Sequence, residues 1–197
     1  VTSLDYNKLY DAHIKSGADI TAVYAKSNLD LDAAAHTNVF GINNEGRINN
    51  VLIDPEISGE CNISLNTYII SKPLLMSMIT DAAAKGIYSF AKSILQAQCG
   101  RYKIMAYKHE GYFSKITSIK SYYDANMALL DTESRKKLFP DNAPVYTKIR
   151  DNPPAKFAIG AKVKNSLIAD GCIIEGTVEN SVLFRGAKVA KGAVVKD

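Results

Sequence analysis

The chain has 197 residues and a formal net charge of +4, with 47% hydrophobic and 22% charged residues. This composition suits one large domain or two small ones and excludes a disordered chain. Cys61, Cys99 and Cys172 are widely spaced with no CxxC, which excludes a disulfide miniprotein and reads as reduced thiols of a cytoplasmic protein, and no apolar run approaches the ~18 residues of a membrane span.

The opening Val-Thr-Ser-Leu-Asp-Tyr lacks the basic start and apolar stretch of a signal peptide. With no initiator Met, the chain reads as an internal piece of something longer. Residues 1–100 hold 7 Lys/Arg and 10 Asp/Glu (net −3), and residues 101–197 hold 17 and 10 (net +7). A basic half can attract anions. Its positives are scattered, however, with one cluster at Arg135-Lys136-Lys137, whereas a nucleic-acid surface is denser.

Residues 4–16 predict a helix: Tyr6, Leu9, Tyr10 and His13 fall at i, i+3, i+4 and i+7, and Gly17 can close it. Ile20–Ala25 predicts a strand. Val39–Ile42 and Ile48–Ile53 flank Asn43-Asn44-Glu45-Gly46, which predicts a hairpin. A further strand is expected over Ile63–Ile70, then a helix over 73–84 opened by Pro73, and another over 87–98. Lys103–Tyr107 reads as a strand. A helix over 117–130, capped by Thr117 or Ser118, carries the apolar stripe Ile119, Tyr122, Tyr123, Met127 and Leu130. Strands mixed with helices indicate an α/β layer structure.

Residues 140–155 contain four of the six prolines, Pro140, Pro144, Pro153 and Pro154, and predict a stiff extended linker. Beyond it, large apolar residues recur every six positions: Phe157 and Val163; Ile168 and Ile174; Leu183, Val189 and Val195. Gly160, Gly171, Gly186 and Gly192 fall three positions on, and Ala161, Leu167, Cys172, Val178, Ala187 and Ala193 four positions on. Asn165-Ser-Leu-Ile-Ala-Asp-Gly-Cys is echoed by Asn180-Ser-Val-Leu-Phe-Arg-Gly-Ala fifteen residues later. Hexapeptide repeats build a β-helix in which each segment makes one side of a triangular prism. A short β-sandwich with glycine turns is the plainer alternative. About forty residues make two or three coils, so further coils or a covering partner are expected after Asp197.

The order of these pieces resembles the glucose-1-phosphate adenylyltransferases of bacterial glycogen synthesis. The resemblance runs along the chain: Leu-Asp-Tyr-Asn-Lys-Leu-Tyr-Asp-Ala-His (4–13) with Gly-Ala-Asp-Ile-Thr (17–21), Tyr112-Phe113, Tyr123–Leu130, Leu138–Pro140, Pro144-Val-Tyr-Thr, Pro153-Pro154-Ala-Lys-Phe157, and the coils at Asn165 and Ser181. It implies part of a Rossmann-like nucleotidyltransferase domain (1–139), the proline-rich linker (140–155) and a short left-handed parallel β-helix (156–197). The family reaction joins ATP and glucose 1-phosphate into ADP-glucose and diphosphate. That chemistry needs a Gly-rich loop for the triphosphate, two Asp on Mg²⁺ and Lys on the phosphates. The loop and the first metal Asp would precede Val1.

Where the family has Glu-Lys-Pro, this chain has Ile53-Asp54-Pro55, so an acid replaces the sugar-phosphate lysine. Where the family has Tyr-Trp-Arg-Asp, it has Tyr112-Phe113-Ser114-Lys115, so a cation replaces the second metal acid. The family's His-Asp-Phe-Gly becomes Tyr88-Ser89-Phe90-Ala91. The resemblance therefore implies a non-catalytic regulatory subunit, with no metal site of its own. It implies a catalytic partner holding Mg²⁺ and ATP in a hetero-tetramer; the scattered positives and the lack of a long apolar run predict no nucleic-acid or membrane partner. Ser64 and Tyr68 fall where the family's Ser-Met-Gly-Ile-Tyr strand lies near the sugar, and Arg185 and Lys188 where basic residues lie near effector anions; an ordinary core strand and exposed prism corners are the plainer readings. His13 reads as a packed histidine, His109-Glu110 as a solvated turn, and Tyr122-Tyr123 as helix packing. Three other functions stay open: a residually active nucleotidyltransferase, a scaffold like the exchange-factor subunits of translation, and a hexapeptide acyltransferase. The last is disfavoured because residues 156–197 contain no His.

Overall fold

The computed structural model describes residues 1–29 and 36–197. They form two compact units, Leu4–Glu110, and Val1–Ser3 together with Gly111–Asp197.

In the first unit, helix α1 spans Tyr6–Ser16. The Asp5 side chain accepts from the Asn7 and Lys8 amides at its start, and Gly17 closes it at φ +56°, a left-handed conformation that glycine adopts without steric cost. Five strands follow: β1 (Ile20–Leu29), β2 (Asn38–Ile42), β3 (Ile48–Ile53), β4 (Gly59–Ile70) and, after two helical segments, β5 (Ile104–Lys108). Their order in the sheet is β3-β2-β4-β1-β5. Among the described residues only the β1–β5 pair of this sheet is parallel; the β2–β3 hairpin and the β1–β4 and β2–β4 pairs are antiparallel, so the sheet is mixed. β1 runs four residues past the expected Ala25 and β4 starts four before the expected Ile63. The two extensions pair with each other from Lys26↔Asn62 to Leu29↔Gly59. Neither stretch is strongly strand-forming by itself, and each supplies the other's backbone partners.

The first half of β1 is buried on both faces. Ile20 and Ala22 join Phe40, Ile48, Val51 and Ile104 in the main core, which helix α2 (Lys72–Ala84) closes with Met78. The expected second helix begins at Phe90, with a π-helical stretch over Ala91–Gln96 that adds Ile94 and Leu95. On the opposite face Thr21 and Val23 are buried; His13 of α1 lies there, its Nδ1 2.8 Å from Thr21 Oγ1.

Each sheet edge makes a contact outside the strand ladder. The β2–β3 turn reaches β5, where Ala106 donates to the Gly46 carbonyl at 2.9 Å and Arg47 bridges Met105. At the other edge Gln96 Nε2 donates to the Val51 carbonyl at 2.9 Å.

In the second unit, Val1–Ser3 lies along residues 112–114 through a Thr2↔Phe113 bridge. Helix α3 (Ile119–Met127) opens with a reciprocal cap between Ser118 and Ser121, and a 3-10 turn follows over Ala128–Leu130. Helix α4 (Thr132–Leu138) is capped by the Asp131 side chain on the Ser134 amide. Residues 140–155 form neither helix nor strand.

From Lys156 onward eight short strands stack in three parallel sheets. β6 (Lys156–Phe157), β9 (Ile173–Ile174) and β12 (Lys188–Val189) form one; β7 (Lys162–Lys164), β10 (Thr177–Glu179) and β13 (Val194–Lys196) the second; β8 (Leu167–Ile168) and β11 (Val182–Leu183) the third. The registers put Phe157 beside Ile174 and Val189, Val163 beside Val178 and Val195, and Ile168 beside Leu183. These are the six-spaced apolar residues plus Val178. Val178, four positions after Ile174 in the repeat, is fully buried and lies between Val163 and Val195 in its row. Successive members of these rows are four, five or six residues apart along the chain, so one coil takes 15 or 17 residues rather than a uniform eighteen. Ile174 and Val178 of the middle coil are fully buried, whereas Phe157 of the first is 53% exposed.

At one corner Asn165, Asn180 and Asp197 share positive φ (47°, 47° and 61°) and stand in a column. Asn165 Nδ2 donates to Asn180 Oδ1 at 2.8 Å, and Asn180 Nδ2 to Asp197 Oδ1 at 3.0 Å. The side chains of α3 reach the same region: Tyr123 OH donates to the Asn180 carbonyl, and the Tyr122 ring stacks over Phe184 at 6.2 Å.

Candidate functional site

β4 carries the best-built polar cluster of the first unit. Ser64 is fully buried on it, and its Oγ lies 3.1 Å from Tyr68 OH. Regular alternation would point residues four apart to the same face. Between them Asn66 adopts φ +53°, which asparagine tolerates better than most residues. The Asn66 amide donates to Ser64 Oγ at 3.1 Å, and its side-chain oxygen accepts from Ser64 Oγ at 3.3 Å and from Tyr68 OH at 3.4 Å. Burial raises the Tyr68 phenol above its ordinary pKa, and the hydrogen bond with Ser64 opposes the shift. The Phe90 ring leans on Tyr68 with centroids 5.0 Å apart.

The adjoining cleft of about 300 Å³ is lined by Asn38, Asn66, Tyr68, Phe90 and Ala91. The wall of this cleft is almost wholly apolar, since the Asn66 oxygen and the Tyr68 hydroxyl are engaged with Ser64 and with each other. No lining residue is cationic, so nothing in this cleft offsets phosphate charge. Ser64 and Tyr68, singled out from the sequence, are thus brought together. Asn38 and Asn66 were not singled out; the available signal was an asparagine inside an otherwise strand-like run.

Asp54 lies just past β3, exposed, at φ +48°, with its amide donating to the Thr37 carbonyl at 3.0 Å. Lys115 lies in the second unit, in the stretch before α3; it is half-buried, and its ammonium nitrogen is out of reach of solvent. Among the described residues no three His, Cys, Asp or Glu side chains gather into a metal-binding group. Glu110 pairs with Lys108 at 2.8 Å, and this contact holds its carboxyl below the usual range.

Arg185 and Lys188 are both exposed on the prism, Arg185 in the turn after β11 and Lys188 at the start of β12, where it pairs with Ile173. A charged row on the prism lies elsewhere. Glu179 bridges Lys164 at 3.4 Å and Lys196 at 3.5 Å, one coil to each side. Sequence reading missed this Lys-Glu-Lys row, although each member directly follows an inward valine. No helix among the described residues is long and apolar enough to cross a membrane.

Comparison with known proteins adds to this geometry. The family model for the GlmU-like C-terminal hexapeptide region matches residues 153–197. The chain is 38% identical over 133 residues to the glycogen biosynthesis protein GlgD of Bacillus subtilis, covering 68% of this chain and 38% of that protein. It is 32% identical over 199 residues to a glucose-1-phosphate adenylyltransferase of Geobacillus stearothermophilus, covering 100% of this chain and 51% of that protein. A Mycoplasma mobile protein of the same name is 29% identical over 200 residues, covering 100% and 52%. At full coverage of itself, the chain spans about half the length of these adenylyltransferases.

Proposed function

Because the chain is an adenylyltransferase-like protein of glycogen biosynthesis, homologous to GlgD and to the glucose-1-phosphate adenylyltransferases, we propose that it serves as a regulatory, non-catalytic subunit of that enzyme. On this reading the first unit is part of a Rossmann-like nucleotidyltransferase domain and the stacked coils are a left-handed β-helix.

One observation carries the proposal: the charges at residues 54 and 115 are the reverse of what nucleotidyl transfer needs. An exposed carboxylate at Asp54 repels a sugar phosphate where the family holds it with lysine. The buried ammonium of Lys115 repels Mg²⁺ where the family binds it with an acid. The residues present do not fit the metal. The charge-free cleft beside Tyr68 is consistent with a site that has lost its phosphate partners. ATP and Mg²⁺ then bind at a catalytic partner in a cytoplasmic hetero-tetramer, and Arg185 and Lys188 remain candidates for an anionic effector.

A second reading, residual transferase activity, draws on the Ser64–Tyr68 cluster, which keeps groups able to hold a sugar. Turnover of ATP and glucose 1-phosphate by the purified chain, alone and mixed with a catalytic adenylyltransferase, separates the two. The proposal expects no turnover alone and an altered rate or effector response in the mixture. Brisk Mg²⁺-dependent turnover by the chain alone refutes it, and co-purification with translation proteins would favour the scaffold.

A further inference from the structure

We draw no further inference here: the strongest candidate, the recess of about 210 Å³ between helix α2 and residues 92–102 whose wall includes Lys85, Lys92, Gln98 and Tyr102, lies on a chain that spans about half the length of its adenylyltransferase relatives, and nothing in the structure shows what covers it or which ligand fills it.

Discussion

Replacing Asn180 separates two contributions to the corner column. Its carboxamide accepts from Asn165 at 2.8 Å and donates to Asp197 at 3.0 Å, while its backbone sits at φ +47°. Both neighbouring side chains reach water, so their loss of a partner adds little desolvation. Each hydrogen bond then contributes about 0.5–1 kcal/mol. Holding an alanine in the left-handed region costs about 1 kcal/mol more than holding an asparagine. Asn180→Ala is therefore expected to destabilise the second unit by about 2–3 kcal/mol. Asn180→Gly loses the same bonds but relieves the backbone, and should cost about 1 kcal/mol less than alanine. Asn165→Ala, at the end of the column, loses one bond and should fall between roughly 1.5 and 2 kcal/mol. With no tryptophan in the chain, urea unfolding is best followed by far-UV circular dichroism, and amide exchange over residues 156–197 assigns the loss to the prism. The reasoning fails if the glycine variant is as unstable as the alanine variant, or if Asn165→Ala costs as much as Asn180→Ala.

Three further outcomes are expected. At Gly176 a Cβ would sit 2.3 Å from the Ala193 carbonyl oxygen and 2.6 Å from that of Ala190, so Gly176→Ala must shift backbone and should cost at least ~2 kcal/mol in the same denaturation assay. Tyr123→Phe removes the donor to the Asn180 carbonyl and should cost about 1 kcal/mol, with faster amide exchange in β10 and α3. The Ser134 amide holds the Asp131 carboxyl below its ordinary pKa. Its contribution to α4 is therefore complete above the unfolded-state pKa and disappears as pH falls through the lower folded value. Carboxyl-carbon NMR should show that depressed titration, and Asp131→Asn should keep the cap while removing this pH dependence.

Where side-chain period and turn chemistry act locally, the fold was readable. The Asn43–Gly46 turn and its flanking runs gave the β2–β3 hairpin, Gly17 the end of α1, Pro73 the start of α2, and the six-spaced aliphatics most of the prism's inward rows. The lengths of β1 and β4 were not readable, because each extension is stabilised by the other across more than thirty residues. Helix α4 was overlooked although its signals were present: Asp131 to cap it, Glu133 in its first turn, and Arg135, Lys136 and Lys137 in its last. Those three cations were read only as a surface cluster. The Ser64–Tyr68 pair was legible by resemblance. Its meeting depends on the positive φ of Asn66, which no periodicity announces, and Asn38 arrives from another strand.

The prism counts rungs, not residues. Because the vertices absorb the varying four-, five- or six-residue steps while the inward rows stay in line, a deletion or short insertion at a vertex need not disturb the interior. Away from the asparagine column and the close-packed Gly176, sequence length can drift at a vertex without moving the inward rows, which makes those vertices the natural places for this scaffold to acquire loops.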